Sequence, residues 1–154
     1  MTHELSVERH IAAPPERVWR VITERTAEWW CPKPWRTEIV AQDWRSGGRS
    51  AMTMHGPDGE TSGGDGVMLE VVPGRRFVFT DALRIAGDGD WVPEKPFMIG
   101  IFEIRPDGEG TRYRASARHW DAEAMERHRA MGFEQGWGAV ADQLKALCEG
   151  PGPA

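Results

Sequence analysis

Between residues 36 and 120, segments with strand character follow one another with only short turn-forming segments between them. This arrangement constrains the fold most, because strands joined by tight turns pair antiparallel. The strand-like segments are RTEIVAQDW, RSAMTMH, GVMLEVV, RFVFTDALR, FMIGIFEIR and TRYRASARHW. The turns between them are SGG, GPDGE, PGR and PDGEG, and AGDGDWVPEKP is expected to form a loop.

One strand and one or two short helices are predicted before this region. In ELSVERHIAA, Leu5, Val7 and Ile11 fall on one side of an alternating pattern, which indicates a strand. In PPERVWRVITE, Pro15 suits the first turn of a helix, and apolar residues recur at helical spacing. The following TAEWWCPKPW allows at most a short second helix, because its two prolines end it.

The last segment, from about Asp121 to Cys148, is predicted to form one long helix. Asp121 suits the N-cap position. An apolar stripe at helical spacing consists of Phe133, Trp137, Val140, Leu144 and Leu147. The sheet has one apolar face, which this helix must cover. The expected fold class is therefore α+β, with an antiparallel sheet packed on a long C-terminal helix.

Length and composition narrow the class of protein. The 154 residues suit one domain, expected over residues 1–148, with residues 149–154 as a flexible tail. A net charge of −5 argues against nucleic acid as a partner. Cys31 and Cys148 lack metal-ligand spacing and are interpreted as reduced thiols, so neither a metal nor a cofactor is expected. No signal peptide or membrane span is recognised, which predicts a cytoplasmic protein.

The strand at residues 111–120 separates its charges from its small and aromatic side chains. Arg112, Arg114 and Arg118 fall on one side, which is predicted to face solvent. Tyr113 and His119 fall on the other side, together with two alanines, Ala115 and Ala117. An inward His119 could hydrogen-bond a ligand or accept a proton. The alternative is a structural histidine at the end of a strand.

Asp81 is the second candidate for chemistry, since no known catalytic motif is present. It shares the parity of Phe77 and Phe79, so it faces a cavity if these two rings do. The hypothesis is that Asp81 and His119 form the polar end of a pocket. The alternative is that the strand ends or bulges there and leaves Asp81 in solvent.

Two alternatives stay open for the side of the strand at residues 97–105 that lines the interior. They are Phe97, Ile99, Ile101 and Glu103 or, on the opposite side, Met98, Phe102 and Ile104. Elsewhere, Met52 and Met54 suit an adaptable cavity wall, and Trp30 is expected to close one end of it. Eight tryptophans in the chain favour such an apolar wall, although each of them could equally belong to an ordinary core.

Three glycines in the predicted long helix, Gly132, Gly136 and Gly138, raise a question of stability. A glycine inside a helix costs about 1 kcal/mol relative to alanine. Because Gly132 and Gly136 are four residues apart, they are expected to share one helix face. We predict that this bare face borders a cavity; close packing alone is the alternative.

Several motifs, taken in order, resemble one known superfamily. They are IAAPPERVW, the GG turn before MTMHGPDGE, LEVVPGRRFVFTDA, GEGTRYRASARHW, and the late GW with QLKAL. Over roughly residues 7–148 the chain resembles the START-like (SRPBCC) superfamily, and more narrowly bacterial proteins similar to the C-terminal domain of the heat-shock-protein-90 ATPase activator. The resemblance implies a helix-grip fold, in which a curved sheet of about six or seven strands wraps around the long C-terminal helix. It also implies a cavity for a small apolar or amphipathic ligand.

This resemblance leaves three functions open, because one fold hosts many activities. The first is binding of the small ligand, and the second is a polyketide cyclase-like enzyme in which Asp81 and His119 transfer protons. The third is a chaperone-cofactor-type interaction domain whose Arg112, Arg114 and Arg118 meet an acidic partner. The chain is expected to be a monomer or a homodimer. The residues predicted to contact the ligand are Trp30, Met52, Met54, Phe77, Phe79, Asp81, Tyr113, Ala115, His119, Gly132, Phe133 and Gly136.

Overall fold

The computed structural model describes residues 2–94 and 98–151, and within them an α+β fold with nine strands and four helices. The strands are β1 His3–Ile11, β2 Arg36–Gln42, β3 Arg49–His55, β4 Thr61–Val72, β5 Arg76–Thr80, β6 Leu83–Ile85, β7 Trp91–Pro93, β8 Met98–Asp107 and β9 Gly110–His119. The helices are α1 Pro15–Glu24, α2 Thr26–Trp29, α3 Ala122–Ala130 and α4 Phe133–Glu149. The predicted fold class is confirmed.

Seven strands form one antiparallel sheet in the order β1-β9-β8-β5-β4-β3-β2. The pairing skips one residue of β2 between Ile39 and Ala41, and one residue of β4 between Met68 and Glu70. Such bulges bend a strand and increase its twist. They lie in the half of the sheet formed by β2 to β5, and they supply the curvature that a sheet needs to wrap around a helix.

Alternation along β9 separates two faces of the sheet. The face covered by the helices is called the dry face, and the opposite, solvent-facing one the wet face. Tyr113 and Ala117 are fully buried, whereas Arg118 lies half in solvent. The helices cover the dry face, and α4 packs against β1, α1 and α2. The side chains that α4 buries are Phe133, Val140, Ala141, Leu144 and Cys148. The predicted parity of this strand is confirmed.

The same alternation decides the open question in β8. Phe102 and Ile104 are buried on the dry face. Glu103 lies on the wet face, within 3.6 Å of the Arg114 guanidinium and 3.9 Å of that of Arg76. The set that contains Met98, Phe102 and Ile104 therefore faces the interior. Phe97, which belonged to the other alternative, lies outside the described residues.

The C-terminal segment is not one helix, contrary to the prediction. α3 ends before Met131, and Gly132 adopts a left-handed conformation with φ of 94° as the N-cap of α4. A residue with a Cβ rarely adopts this conformation, so glycine at this position permits a sharp change of direction. Gly132 and Gly136 therefore do not share a helix face, although the Gly136 N–H still donates to the carbonyl of Gly132 at 2.8 Å.

The segment after β5 also differs from its prediction. β5 ends at Thr80, and the stretch predicted as its continuation and a loop instead forms the small β6–β7 hairpin. Gly89 lies in the hairpin turn with φ of 87°, a conformation typical of glycine. The hairpin exposes about half of the Trp91 side chain, at 52%.

The segment that follows β1 is bound to the C-terminal end of α4. This helix continues to Glu149, whose carboxylate accepts hydrogen bonds from the Ala12 N–H at 2.7 Å and from Lys145 at 2.5 Å. Glu149 is thus part of the helix, whereas residues 152–154 of the predicted tail lie outside the described residues. Among the described helices, none combines the length and the apolar character needed to cross a membrane.

Alanine substitutions at Gly132 and Gly136 are expected to change the free energy of unfolding in opposite directions. Gly132→Ala should lower the free energy of unfolding by about 1–2 kcal/mol, because its left-handed φ disfavours a Cβ. Gly136→Ala should raise it by up to about 1 kcal/mol, because Gly136 lies inside α4 and a Cβ there meets nothing within 4 Å. Urea unfolding of the two variants measures both changes, and changes of equal sign would contradict this account of the helix break.

Candidate ligand-binding site

Two cavities lie next to each other, each of about 210 Å³. The first, here called the sheet cavity, lies against the inner face of β3, β4 and β5. The second, the helix cavity, lies between α4 and the loop after α2. Trp30, Met54 and Met98 line both cavities. A ligand that displaced these side chains would reach from one cavity into the other.

Aromatic and sulfur-containing side chains make the walls of the cavities apolar. Phe77 and Phe102 stack with ring centroids 4.6 Å apart, and Phe102 stacks on Trp137 at 5.4 Å. Trp30 contacts Phe102 at 5.5 Å. Further residues of this kind along the sheet cavity are Met52, Met68 and Phe79. These offset and edge contacts hold the rings in place, which favours a preformed cavity.

Gly100 shows how closely the sheet supports this aromatic wall. It faces Phe79 across the β5–β8 pair, and a Cβ at Gly100 would lie 2.4 Å from Cε1 of that ring. Since real Cβ atoms do not approach other atoms so closely, any larger residue would displace Phe79 towards the sheet cavity. The glycine therefore sets how much room the cavity has.

The loop after α2 closes the helix cavity, and one side chain of α4 holds it. Nε2 of Gln143 donates to the carbonyls of Trp29 and Cys31, both at 3.0 Å, while its Oε1 accepts from the Lys33 N–H at 2.9 Å. Three bonds from one amide fix the loop that carries Trp30, Cys31 and Pro32 along the cavity. Gln143 is thus a positioning residue that the sequence did not single out.

Cys31 is buried within this loop and is not suited to act as a nucleophile. Its φ of 72° is unusual for a residue other than glycine, and the Gln143 bond to its carbonyl supports this conformation. Burial raises the pKa of the Cys31 thiol, which disfavours the reactive thiolate. Cys31 is therefore a buried thiol of the loop, without the environment that a nucleophile needs.

Most polar groups along the sheet cavity bond within the protein. Oγ1 of Thr26 donates to the Ile22 carbonyl at 2.7 Å, and Oγ1 of Thr80 donates to the Met98 carbonyl at 3.1 Å. The Asp65 carboxylate pairs with Arg49 at 2.8 Å, and Asp81 Oδ1 accepts from the Met98 N–H at 3.3 Å. The Ser50 hydroxyl donates to Oε1 of Gln42 at 3.0 Å.

Two buried side-chain atoms in the described part of the chain have no hydrogen-bond partner, Nε2 of Gln42 and the hydroxyl of Tyr113. Gln42 lines the sheet cavity and Tyr113 lines the helix cavity. Burial raises the pKa of Tyr113, so this hydroxyl keeps its proton. A buried donor without a partner costs about 1–3 kcal/mol and therefore calls for an explanation.

A pair of buried histidines lies at the end of β9. Nδ1 of His119 is 2.9 Å from the carbonyl oxygen of His3, which only accepts, so this nitrogen carries the hydrogen. Nε2 of His119 is 2.8 Å from Nδ1 of His128 in α3. When both rings are neutral, His128 donates and His119 accepts. Two charged rings would set N–H against N–H across this contact.

The histidine pair links α3 to the cavity wall. The ring of His128 meets the edges of Phe133 and Trp137 at centroid distances of 5.0 Å and 5.9 Å, and Trp137 lines the helix cavity. Burial and the neighbouring His119 lower the pKa of His128 to about 4, although the charge of Asp81 partly opposes this shift. The spacing of histidines in the sequence did not predict this pair, because His119 belongs to β9 and His128 to α3.

The structure brings together many, but not all, of the residues predicted to contact a ligand. Those along the sheet cavity are Trp30, Met52, Met54, Phe77, Phe79 and Asp81, and the helix cavity adds Tyr113 and Gly136. Ala115, His119, Gly132 and Phe133 are not among the residues that line either cavity. Ala115 and Phe133 are buried in the core, and His119 faces His128. Gly132 separates α3 from α4.

The wet face of the sheet carries a third depression, the arginine groove, of about 450 Å³. Its residues are Val72, Arg75, Arg76, Glu103, Ile104, Arg105, Arg112 and Arg114. It lies on the opposite face of the sheet from both cavities. One predicted function had Arg112, Arg114 and Arg118 contact an acidic partner. Of these three, Arg112 and Arg114 line the groove.

Comparison with known proteins agrees with this architecture. The family described as "Activator of Hsp90 ATPase homolog 1-like protein" matches residues 12–149. Protein NE0264 from Nitrosomonas europaea is similar at 35% identity with a TM-score of 0.84, covering 94% of this chain and 92% of that chain. Protein Ms6760 from Mycobacterium smegmatis is 27% identical with a TM-score of 0.79, covering 95% and 90%. No curated protein gives a match.

A more distant structure shares the fold alone. The AHSA1 protein from Silicibacter pomeroyi is 22% identical, with a TM-score of 0.70, and the similarity covers 94% of this chain and 96% of that chain. The sheet and the C-terminal helix are therefore retained at low identity.

Stability should fall as the pH decreases from 6.5 towards 4. In this range the unfolded chain protonates His128, whose ordinary pKa is 6.5, whereas the folded protein resists protonation until about pH 4. Each pKa unit is worth about 1.4 kcal/mol, so the loss is about 3 kcal/mol at most. Urea unfolding between pH 7.5 and 4.5 measures it. His128→Asn, which keeps a donor near Nδ1, should flatten the profile, whereas the control His55→Asn should not; an unchanged slope in His128→Asn refutes the assignment.

Proposed function

This chain belongs to the family described as Activator of Hsp90 ATPase homolog 1-like protein, and from its interior we propose that it binds a small apolar or amphipathic molecule. The family expected from the sequence motifs is thereby confirmed. The observation that carries the proposal is the pair of adjacent apolar cavities between the sheet and its helices, which share Trp30, Met54 and Met98. Ligand sites in proteins are typically concave and apolar, with few polar groups.

The size of the cavities limits the ligand. A cavity of about 150 Å³ in another protein holds benzene, so each cavity of about 210 Å³ suits a molecule with one ring. Methionine side chains are unbranched and adapt to different shapes. Movement of Met54 and Met98 would join the cavities and admit a longer molecule.

The unpartnered amide nitrogen of Gln42 gives the ligand a polar end. Because Ser50 already donates to Oε1 of Gln42, the amide is oriented with Nε2 as its remaining donor. A ligand acceptor, such as a carbonyl oxygen, would satisfy this donor after a small rotation of the amide, whose terminal torsion is soft. Asp81 lines the same cavity, and its carboxylate disfavours an anionic acceptor. We therefore favour a neutral ligand with an acceptor at one end.

The enzyme alternative has weaker support. Asp81 lines the sheet cavity, but His119 lines neither cavity, and the His3 carbonyl and His128 occupy its two ring nitrogens. Proton transfer between Asp81 and a substrate stays a prediction, and ligand binding does not depend on it.

Filling the helix cavity should weaken binding without unfolding the protein. A Cβ at Gly136 meets no atom within 4 Å and Gly136 lines the helix cavity, so we expect Gly136→Leu to fold and to extend its side chain into the cavity. The neutral fluorescent probe N-phenyl-1-naphthylamine has three rings and needs both cavities, so it should bind this variant about tenfold more weakly, a loss of about 1.4 kcal/mol. Gly136→Ala is the matched control and should bind nearly as the native protein does. Equal affinities for all three proteins, or no binding by any, would count against the proposal.

The role of Gln42 can be tested with two probes of similar shape. Acetophenone carries an acceptor and ethylbenzene does not, so the native protein should prefer acetophenone by about three- to tenfold, as expected for one hydrogen bond. Gln42→Met keeps the length of the side chain but removes the donor, and it should abolish the preference while both probes still bind. Calorimetric titration measures the four affinities. A preference that survives in Gln42→Met assigns the polar contact to another residue.

A further inference from the structure

The charges of the arginine groove are unevenly compensated. Arg76 and Arg114 flank Glu103 across neighbouring strands, and both lie within ion-pair distance of it. This row alternates in sign, which stabilises paired strands. One end of the groove therefore needs no further anion.

The next row of the sheet is different, because like charges face each other. Arg105 on β8 lies directly opposite Arg112 on β9. Like charges in this position destabilise a strand pair. Asp107 relieves part of the repulsion, since its carboxylate bonds to Arg112 at 2.9 Å and to His10 at 3.0 Å. Neither contact reaches Arg105.

Two exposed arginines of the groove have no side-chain partner among the described residues, Arg75 and Arg105. The backbones that carry these two arginines are adjacent. The Arg75 carbonyl accepts a hydrogen bond from the N–H of Ile104, the residue before Arg105. Two guanidinium groups thus share one end of a groove on a protein whose net charge is −5. A local basic site on an acidic protein attracts anions selectively to that point.

We propose that the arginine groove binds a phosphate group through Arg75 and Arg105, with Arg112 beside them. A compact dianion matches two neighbouring guanidinium forks, each of which can donate two parallel hydrogen bonds. An extended acidic peptide fits less well, because it would also cross the Glu103 carboxylate at the other end of the groove. Val72 adds an apolar side chain beside these arginines, which suits a phosphate ester with an organic group. This site is on the opposite sheet face from the two cavities and is independent of them.

The test uses calorimetric titration of the full chain at low ionic strength with three probes, namely inorganic phosphate, phenyl phosphate and benzoate. The native protein should bind both phosphates, and benzoate about tenfold more weakly, because benzoate carries one charge. Tighter binding of phenyl phosphate than of inorganic phosphate identifies an ester as the ligand, and the reverse order identifies the free ion; both outcomes support the site.

The paired variants decide whether Arg75 and Arg105 form the site. Arg75→Gln with Arg105→Gln should weaken phosphate binding about tenfold or more, since two charged donors are lost. Arg118→Gln is the control, because Arg118 lies on the same sheet face, bonds to Glu4 and does not line the groove. The single variant Arg75→Gln removes one positive charge, as Arg118→Gln does, so these two variants are compared directly. The proposal is overturned if Arg75→Gln and Arg118→Gln weaken binding equally, if benzoate binds as well as phosphate, or if a polyglutamate peptide binds more tightly than both phosphates.

Discussion

The alternation of side chains along the central strands is the constraint on which the rest of this structure depends. A strand presents successive residues to opposite faces, so a shift of one residue would exchange the two faces entirely. In β8 and β9 this alternation separates Phe102 and Tyr113 from Glu103 and Arg114. The dry face then supplies the aromatic wall of the cavities, and the wet face supplies the arginine groove. Both candidate sites are consequences of one register.

The helices cover the dry face without filling the space beneath them. α4 buries Val140, Ala141 and Leu144 against the core, yet Gly136 in its first turns leaves room over the sheet. The left-handed Gly132 ends one helix and starts the next, so α3 packs at the β1–β9 edge rather than along the sheet. Gln143 holds the loop on the other side of the opening. The helix cavity is therefore left open by three local features, which are Gly136, the left-handed Gly132 and the loop held by Gln143.

The features that reduce the stability of this molecule lie at its candidate sites. Buried atoms without a partner, a glycine in a helix and opposed arginines each reduce stability by an amount that ordinary packing could avoid. Nε2 of Gln42 and Gly136 belong to residues that line the cavities, and Arg105 with Arg112 lies in the groove. A chain selected for stability alone would have no reason to concentrate these features at its concave surfaces.

The sequence by itself determined the strands of the large sheet, the inner and outer faces of β9, and one or two short helices after β1. These features follow from period-two alternation, turn residues and prolines, all of which act over a few neighbouring residues. The family was indicated separately, by the resemblance of several motifs taken in order. Tertiary structure alone decided the break at Gly132, the pairing of His119 with His128, the parity of β8 and the isolation of Gln42 Nε2. Each of these depends on how separate elements pack in three dimensions, which a periodic pattern of neighbouring residues does not encode.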